Sequence, residues 1–570
     1  MDGWQKFDVA CNVLKPCDFR NDLKGEEISN EDFKFYLEIC NKFNINNLGE
    51  YHDLYLKTDV LLLADVFENF RKTCLEYYGL DPCHYISAPG LAWDALLKMT
   101  NTELELISDI DKYLFIEKGL RGGVSIITHR KGEANNKYMK NYDKNKPSKY
   151  VVYLDENNLY GWAMQQSLPY GGFEWIDPEE YQLEKVSPDS SVGHILEVDL
   201  EYPVELHDDH NDYPFCPEHV VVTENMLSPY QKKLAEQHNI KCSKVTKLMS
   251  TLTNKEKYII HERNLKQAVD AGLKIKKIHR VLRFNQRPWM KDYIDFNTDK
   301  RKLAKNDFEK DFFKLMNNSV FGKSMENIRK RQNIKLITDK QTFLKYVSKP
   351  TFINSKIFNS ELVAVHYVKE KIVLDKPTYV GFSILDISKT LMYDFHYGYI
   401  NPTYGTNAKL LFTDTDSLCY EIKSDDVYKD FYKVKHMFDL SDVNGTFNDN
   451  TNKKVIGKMK MEYPNDVITE FIGLKSKMYS IKLDSAKEEK KAKGIVKSVV
   501  KKDLKHDMYD KTLQTSSKMY SKMNVIRSVK HKVYTMTVNK ISLSAYDDKR
   551  YILHDGITSY AYGHYKTLLE

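Results

Sequence analysis

Two short apolar segments far apart in the chain each run directly into acidic residues. Tyr150–Leu154 is a β-branched and aromatic run that ends at Asp155, and Lys409–Phe412 is a second such run, followed closely by Asp414 and Asp416. Both runs are typical of short buried strands. Because residues i and i+2 of a strand face the same side, we expect Asp414 and Asp416 to project together. The fold must then bring Asp155 and Asp416 close to each other, although 261 positions separate them.

A cluster of carboxylates at strand ends raises the free energy of the fold unless a cation neutralises it. Carboxylate oxygens suit Mg²⁺, which keeps several waters and binds substrate phosphates. Two such ions, roughly 3.5–4 Å apart, activate a hydroxyl nucleophile and stabilise a leaving pyrophosphate. The pattern therefore predicts nucleotidyl transfer, with Asp155, Asp414 and Asp416 as metal ligands and Mn²⁺ as a possible substitute. Asp109-Ile-Asp111 is also an Asp-x-Asp, but it follows no strand, and we assign it to a solvated turn.

A basic segment lies between the two acidic strand ends. Asp299–Arg331 is predicted to form one long helix followed by a turn at Gly322. At 3.6 residues per turn, Lys302, Lys310 and Lys314 would fall within an arc of about 120°, with Phe321 almost under Lys314. A lone basic helix is usually only a solvated surface. This one continues into Asn318-Ser319-Val-Phe321-Gly322, which favours a site for a triphosphate and a base.

In this order, the three segments resemble motifs A, B and C of family B DNA polymerases. Motif A corresponds to Asp155-Glu-Asn-Asn-Leu-Tyr-Gly, motif B to Lys314-Leu-Met-Asn-Asn-Ser-Val-Phe-Gly, and motif C to Asp414-Thr-Asp-Ser. Gly122-Gly123 resembles the Gly-Gly motif of the protein-primed branch, and Lys477-Met-Tyr479 resembles its K-x-Y motif. Motif A is especially similar to that of Polinton/Maverick transposon and related viral polymerases. The resemblance extends from about residue 50 onward.

The resemblance implies a role for each matching residue. Asp155 and Asp416 would be the principal metal ligands, with Asp414 auxiliary. The nucleotide site would comprise Tyr160 against the sugar, Lys314 with Lys302 and Lys310 on the triphosphate, and Asn318 and Phe321 around the nascent pair. For Tyr160 the competing interpretation is ordinary core packing. DNA would be contacted by Gly122, Gly123, Ser319, Gly322, Lys475, Lys477 and Tyr479. The partners would be a DNA primer-template and deoxynucleoside triphosphates, with a terminal protein as a candidate primer.

The family also implies an α+β, multidomain right-hand architecture with a remnant of an RNase H-like exonuclease domain. An insertion is expected around residues 190–300, because the interval from Asp155 to Asn318 is longer than a palm needs. Residues 224–280 are expected to be helical, with Lys-rich faces. Three residues depart from the family motifs: Asn158 replaces Ser, Gly161 replaces Pro, and Phe321 replaces Tyr. The expected segments are 1–110 (exonuclease remnant), 111–146 (linker with the Gly-Gly motif), 147–195 (palm), 196–298 (insertion), 299–335 (fingers), 336–475 (palm) and 476–570 (thumb).

Near the N-terminus, Tyr55-Leu-Lys-Thr-Asp59 resembles the third motif of the family's 3′–5′ exonuclease. The competing interpretation is two polar residues on an amphipathic helix over residues 50–78. The preceding 54 positions contain no match to the two other exonuclease motifs, whose carboxylates two-metal hydrolysis requires. We therefore expect a chain that begins inside its exonuclease domain and polymerises without proofreading.

Composition sets the remaining expectations. Between Phe471 and Lys540 there are 18 Lys+Arg against 6 Asp+Glu, and such a basic stretch suits a thumb that holds DNA phosphates. The eight cysteines show no C-x-x-C pair, which indicates reduced thiols. The sequence contains neither a signal peptide nor an apolar run long enough to span a membrane. We expect a soluble intracellular protein with no membrane partner, in the nucleus or at a viral replication site.

Two alternatives stay open at this stage. One is another enzyme with the same palm chemistry, a reverse transcriptase or an RNA polymerase, against which motifs B and C argue. The other is a non-catalytic DNA-binding relic of a transposon polymerase, against which the presence of Asp155, Asp414, Asp416 and Lys314 argues. The favoured interpretation is a DNA-directed DNA polymerase that replicates a viral or mobile element, with protein priming.

Overall fold

The structure is a computed structural model and describes residues 4–569. It divides into two compact units. The first comprises Met1–Leu91, Gly494–Asp503 and Tyr520–Lys540, and the second comprises Ala92–Lys493, Leu504–Met519 and Ile541–Glu570. Helices and sheets are both abundant, so the predicted α+β, multidomain class is confirmed.

The α-helices, in chain order, are α1 (Asn30–Lys42), α2 (Leu48–Tyr78), α3 (Ala88–Thr100), α4 (Ile110–Gly119), α5 (Leu159–Met164), α6 (His207–His210), α7 (Pro229–Gln237), α8 (Glu262–Asp270), α9 (Lys291–Leu303), α10 (Asp307–Ser324), α11 (Lys340–Val347), α12 (Thr378–Tyr393), α13 (Asn401–Tyr404), α14 (Val427–Lys433), α15 (Lys497–Lys502) and α16 (His506–Thr515).

The strands are β1 (Ser125–Ile127), β2 (Lys131–Glu133), β3 (Lys149–Glu156), β4 (Leu168–Ile176), β5 (Val192–Glu201), β6 (Glu218–Val220), β7 (Lys247–Met249), β8 (Lys255–His261), β9 (Lys274–Arg287), β10 (Asn333–Ile337), β11 (Phe352–Asn359), β12 (Leu362–Tyr367), β13 (Ala408–Asp414), β14 (Ser417–Lys423), β15 (Phe438–Asp439), β16 (Met459–Met461), β17 (Ile468–Lys475), β18 (Met478–Leu483), β19 (Glu488–Ala492), β20 (Lys518–Val529), β21 (Lys532–Ser544), β22 (Tyr551–Ile552) and β23 (Ser559–Tyr560).

A ten-stranded central sheet in the second unit contains both predicted acidic strands. Its main order is β1-β13-β14-β3-β17-β18-β19, with β2 on β17, β16 on β3 and β15 on β16. Strand β3 is built from the Tyr150–Leu154 run, whose β-branched and aromatic side chains suit a strand that is buried along most of its length. The two predicted strands are confirmed, and β14 is the strand that joins them.

The buried helix α12 packs against α4, α5, α8 and α10. Nearly all of its residues are buried, which is typical of a helix in the centre of a large domain. A seven-residue π-helical segment, Asp394–Ile400, continues it to α13. Within this segment, His396 Nδ1 and the Tyr420 hydroxyl of β14 are 2.8 Å apart, in hydrogen-bonding distance.

Arg130 ties the central sheet to the C-terminal segment. Its guanidinium is fully buried and donates to the carbonyls of Gly473 and Leu474 on β17. The same group donates to the carbonyls of Ala545 and Gly556. Burial lowers the pKa of Arg130. Four carbonyl acceptors compensate for the loss of hydration of this cation.

A separate four-stranded sheet, ordered β4-β9-β5-β8, occupies much of the region in which we expect an insertion. Residues 224–280 were expected to be helical with Lys-rich faces, and that prediction is wrong. They contain α7 and α8 but also β7, β8 and the start of β9. The lysines of Lys274–Lys277 lie on a long, partly exposed strand that pairs with β5. Side chains of such a strand alternate between core and solvent, which accommodates lysine.

The predicted single basic helix over residues 299–331 is also wrong, because the chain breaks at Ala304–Asn306. Asn306 caps α10 by accepting a hydrogen bond from the backbone N–H of Glu309 at 2.8 Å, and α9 and α10 pack against each other. Gly322 lies inside α10 and forms no turn. Beyond it, β10, β12 and β11 form their own three-stranded sheet, although residues 336–475 were assigned to the palm.

In the first unit, the predicted helix over residues 50–78 is confirmed as α2. Asn47 caps its start and Gly79, in the left-handed region at φ 62°, ends it. Before Ile110 the described chain forms helices and two isolated bridges, so an RNase H-like sheet in this region stays a prediction. The eight cysteines are all free thiols. No helix among residues 4–569 is long and apolar enough to cross a bilayer.

Candidate active site

Asp414 and Asp416 flank the tight turn between β13 and β14. The residue between them, Thr415, has a φ of 67°, and the N–H of Asp416 donates to the carbonyl of Asp414 at 2.9 Å. A positive φ with an i→i+2 hydrogen bond defines a strained γ-turn. For a β-branched residue this conformation costs about 1–3 kcal/mol and is typical of functional sites. The two aspartates therefore lie on either side of a turn, and the i, i+2 strand argument for their placement was wrong.

Asp155 meets this turn through the pairing of β14 with β3. Asp155 is opposite Ser417 in the antiparallel register, and the N–H of Glu156 donates to the carbonyl of Asp416 at 2.7 Å. The structure thus brings Asp155, on β3, next to Asp416, which immediately precedes the neighbouring strand β14.

The electrostatics of the two carboxylates reflect a partly dry, acidic environment. Burial raises the pKa of Asp155 to about 8, and the carboxylates of Asp416 and Glu462 add to this rise, whereas Lys314 opposes it. Burial likewise raises the pKa of Asp416, with a further contribution from Asp414, and Lys477 and Lys314 oppose it. Two carboxylates that repel each other favour a cation between them.

Glu462 is a member of this cluster that the sequence analysis missed. It follows β16, which pairs with β3, and its N–H donates to the carbonyl of Tyr153 at 2.9 Å. Burial raises the pKa of its carboxyl group, and Asp416 contributes to that rise. No local sequence pattern marks it, because only the pairing of β16 brings it to the site.

Asp414 is turned toward a lysine. Its Oδ1 lies 3.0 Å from Nζ of Lys477, in the turn between β17 and β18. In the same turn, the hydroxyls of Ser476 and Ser125 are 2.7 Å apart. Lys477 therefore neutralises the carboxylate that we assigned an auxiliary role.

Within residues 4–569, no group of three or more His, Cys, Asp or Glu side chains is gathered closely enough to hold a metal ion alone. Mg²⁺ does not require such a cage, since it is commonly held by one or two carboxylates with waters and substrate phosphates. Asp155 and Asp416 are hard oxygen donors with raised pKa values, and they fit this mode of binding.

An aromatic pair lies beside the carboxylates. The rings of Tyr160, on α5, and Phe321, on α10, have centroids 4.4 Å apart. Burial raises the pKa of the Tyr160 hydroxyl to about 12, and the carboxylate of Asp416 adds to this rise. The pair thus links the acidic hairpin to the basic helix.

The lysines of the basic segment separate into two groups. Lys314 acts on the pKa of both Asp155 and Asp416 and therefore lies at the acidic cluster. Lys302 is on α9 and pairs with Asp299 at 3.2 Å, so it does not share a helical face with Lys314.

Lys310 belongs to a second cationic group, which the sequence analysis missed. Burial lowers the pKa of Lys454, and Arg301, Lys310 and Lys453 lower it further. Arg301 is half-buried, and its Nε has no hydrogen-bond partner within residues 4–569.

A family model described as DNA polymerase type B, organellar and viral, matches residues 30–402, more than half of the chain. The chain belongs to this family of type B DNA polymerases. The match includes Asp155 and the whole of α10, and it ends before Asp414.

Solved structures of Phi29 DNA polymerase also resemble this type B polymerase. The ternary complex with primer-template DNA and incoming nucleotides is 14% identical, and the alignment covers 80% of this chain and 68% of that one, with a TM-score of 0.47. The orthorhombic crystal form is 13% identical, and the alignment covers 80% of this chain and 68% of that one, with a TM-score of 0.48. Because these TM-scores are below 0.5, the identification depends on the family match. No curated protein matches the polymerase in a sequence comparison.

The remaining predicted nucleotide and DNA residues of the polymerase differ in exposure. Lys314, Asn318 and Gly322 are exposed on α10, whereas Ser319 is half-buried. Gly122, before β1, and Lys477 are exposed, and Lys475 is half-buried.

Tyr479 lies in the core of the polymerase. It is 3% exposed and stacks on Phe412 with ring centroids 4.6 Å apart. Its hydroxyl is 3.4 Å from that of Tyr153. This burial contradicts the expected direct contact between Tyr479 and the primer, and it indicates that the ring supports β13, which leads to Asp414.

The two departures from motif A, Asn158 and Gly161, are in contact with each other. Asn158 has a φ of 57° and caps α5 by accepting a hydrogen bond from the N–H of Gly161 at 3.3 Å. A Cβ on Gly161 would lie 2.2 Å from Nδ2 of Asn158. A proline at position 161 has no N–H to donate, so this cap requires a residue other than the family proline.

The predicted exonuclease residues of the polymerase lie one turn apart on α2. Tyr55 is 58% exposed, and its pKa is raised by a hydrogen bond to the Asp59 carboxylate. Asp59 is also exposed. Their role stays a prediction.

Proposed function

We propose that this type B polymerase is a DNA-directed DNA polymerase that adds deoxynucleotides to a primer 3′ end by two-metal nucleotidyl transfer. The observation that carries the proposal is the meeting of Asp155, on β3, with Asp416, just before β14, beside Lys314 and the Tyr160–Phe321 pair. An acidic pair next to a cation and an aromatic wall suits a nucleoside triphosphate with its metals.

In this proposal Asp155 and Asp416 hold Mg²⁺, or Mn²⁺ in its place, together with the triphosphate. The metal ions supply activation of the primer hydroxyl and stabilisation of the leaving pyrophosphate. Lys314 places a positive charge where negative charge develops on the phosphates. Arg301, Lys310 and Lys454 offer further cationic groups for the triphosphate, and Asn318 extends the same face of α10 toward the nascent pair.

Tyr160 and Phe321 select the sugar in this proposal. Contact with the tilted ring of Phe321 restricts the Tyr160 ring, and a restricted ring excludes a 2′-hydroxyl more strictly than a mobile one. Phe321 lacks the hydroxyl of the family tyrosine, so its contribution is packing alone.

The proposed DNA contacts need charge without sequence readout. Lys475, Lys477 and the basic stretch 471–540 would bind phosphates, with Gly122, Ser319 and Gly322 near the strands. We further propose that the β4-β9-β5-β8 sheet belongs to the insertion subdomain of a protein-primed polymerase. The similarity of motif A to transposon polymerases supports replication of a viral or mobile element.

We also propose that these 570 residues extend primers without removing a mismatched 3′ end. Tyr55 and Asp59 are the only exonuclease residues that the sequence supplies, and one carboxylate is a poor holder of two Mg²⁺ ions. Incubation with a mismatched, end-labelled primer-template and Mg²⁺, without nucleotides, tests this. Shortening of the primer that disappears in Asp59→Ala would contradict it.

The decisive experiment is primer extension with purified protein, Mg²⁺ and either a DNA or an RNA template. We expect extension on DNA that falls by about 10³-fold or more in Asp416→Asn, because the metal interactions are worth several kcal/mol. Asp111→Asn is the matched control, since Asp111 is in the other Asp-x-Asp, lies in the first turn of α4 and pairs with Arg280. DNA binding without extension would indicate a non-catalytic relic, and preference for an RNA template would indicate a reverse transcriptase.

A further inference from the structure

The second glycine of the Gly122-Gly123 segment lies directly against the strained turn between the two aspartates. A Cβ on Gly123 would lie 2.4 Å from both Cγ2 and Oγ1 of Thr415, and 2.8 Å from its Cβ. Separations below 3.0 Å are not tolerated by real side chains. Thr415 is short and β-branched, so it has little freedom to rotate away.

The backbone on either side of Gly123 is bound to the same turn. The N–H of Thr415 donates to the carbonyl of Val124 at 2.8 Å, and Ser125 pairs with Asp414 in the register of β1 and β13. Ser125 also contacts Ser476 in the turn that presents Lys477. Residues 123–125 therefore pack directly against the γ-turn. Thr415 can keep its position there because Gly123 has no side chain.

Gly122 has a different environment. It is exposed, and among the described atoms none lies within 4 Å of a Cβ built on it. The two adjacent glycines are thus distinguishable by their surroundings, although the resemblance assigns both to DNA binding.

We propose that Gly123 is a positioning residue for catalysis: it holds the Asp414-Thr415-Asp416 turn in its strained form and does not act through contact with DNA. This inference rests on the proposed polymerase function. A shift of the turn would move Asp416 relative to Asp155, because Asp416 follows Thr415 directly in the chain and its carbonyl accepts from the N–H of Glu156 on β3. Displacement of a reacting group by about 1 Å lowers rates by about a hundredfold.

The test is a comparison of Gly123→Ala with wild type in single-nucleotide incorporation at saturating DNA and nucleotide, together with the DNA dissociation constant and the melting temperature. We expect the maximal incorporation rate to fall by about 10- to 100-fold with DNA affinity nearly unchanged, and the melting temperature to fall by no more than an overpacking cost of about 1–3 kcal/mol produces. Gly90→Ala, in α3, is the neutral control, since its nearest atom would be Tyr85 Cδ1 at an ordinary 3.4 Å. Gly122→Ala measures what a methyl group in the same segment does to DNA affinity.

A rescue experiment separates positioning from general destabilisation. Thr415→Gly removes all three colliding atoms and suits the positive φ, so Gly123→Ala should reduce the rate by less than about threefold in that background. An equal loss in both backgrounds, an unchanged rate in Gly123→Ala, or a loss confined to DNA affinity would each overturn the inference. If Thr415→Gly alone is inactive, the single variant Gly123→Ala decides: a lower maximal rate at unchanged DNA affinity supports the inference, and a loss of DNA affinity alone overturns it. Failure of wild type and Gly90→Ala to incorporate nucleotide would instead refute the proposed function.

Discussion

The ring of Tyr160 lies against the ring of Phe321, with centroids 4.4 Å apart and planes inclined by 30°. Tyr160→Val should therefore raise ribonucleotide incorporation relative to deoxyribonucleotide by about 10- to 100-fold, because a steric overlap costs about 1–3 kcal/mol. Single-nucleotide kinetics with both substrates measure this ratio. Tyr160→Phe, which keeps the ring, should retain most of the discrimination, and Phe321→Ala should give an intermediate value. An unchanged ratio in Tyr160→Val would remove Tyr160 from this role.

Glu462→Gln should weaken the binding of the Mg²⁺ that supports primer extension. Its carboxylate adds negative charge at Asp155 and Asp416, and loss of a group that supports metal ligands typically lowers affinity 10- to 100-fold. We expect the Mg²⁺ concentration for half-maximal extension to rise by about tenfold. Glu133→Gln is the control, because Glu133 is exposed on β2 and already paired with Lys131 at 3.0 Å. Identical Mg²⁺ titrations for the two variants would exclude Glu462 from the site.

The two groups of lysines should differ in kinetics. Lys314→Ala should reduce the maximal rate by about 10²-fold, as expected for loss of a cation at developing charge. Arg301→Ala and Lys310→Ala should mainly raise the KM for nucleotide. Lys302→Ala should change neither value by more than about twofold, because an exposed pair such as Lys302–Asp299 contributes little. A large effect of Lys302→Ala would instead show that Lys302 contributes to the nucleotide site from α9.

The cap of α5 predicts coupling between positions 158 and 161. Gly161→Ala should lower the melting temperature, since overpacking against the Asn158 amide costs about 1–3 kcal/mol. In an Asn158→Ser background the same change should be milder, because serine lacks the colliding amide. Thermal unfolding of the four proteins completes the cycle, and strictly additive effects would contradict the proposed contact.

The buried His396 should make stability depend on pH. Burial lowers its pKa to about 4, an effect that His210 reinforces and the Asp212 carboxylate opposes. Above pH 6.5 the imidazole is neutral in both states. Between about 6.5 and 4 the unfolded chain binds a proton that the folded chain does not, so stability falls as the pH falls. His396→Phe keeps the stacking on Tyr420 and should flatten the dependence of melting temperature on pH between 6.5 and 5. Parallel curves for the variant and wild type would show that His396 does not contribute.

The sequence predicted the parts of the site that local patterns encode. The apolar runs before Asp155 and Asp414 are strand signals. Carboxylates at the ends of buried strands need a cation to neutralise them, so the meeting of the two strand ends was predictable. The γ-turn at Thr415 was not, because threonine gives no sign of a positive φ. Glu462 was missed for another reason: β16 has three residues, and only its pairing with β3 brings Glu462 to the cluster.

Two errors had signals that could have been used. Asn306 followed three residues later by Glu309 is the pattern of a helix start, and it separates Lys302 from Lys314. Residues 274–284 alternate between basic and apolar side chains over part of their length, which favours a strand over the helix that we expected. Both helix predictions gave more weight to the lysine content of the segment than to the spacing of its apolar residues.

The bonds of Arg130 bear on how the polymerase is synthesised. Its guanidinium needs carbonyls that follow it by more than 400 positions, at Ala545 and Gly556. Domains usually begin to fold while the ribosome is still adding residues. The nascent chain cannot complete this set of bonds until Gly556 has left the ribosome, although all ten strands of the central sheet have been synthesised by Ala492. A ribosome stalled before Ala545 should therefore hold a sheet in which Arg130 lacks two of its four carbonyl acceptors, and this sheet should be more open to chaperones and proteases than the finished one.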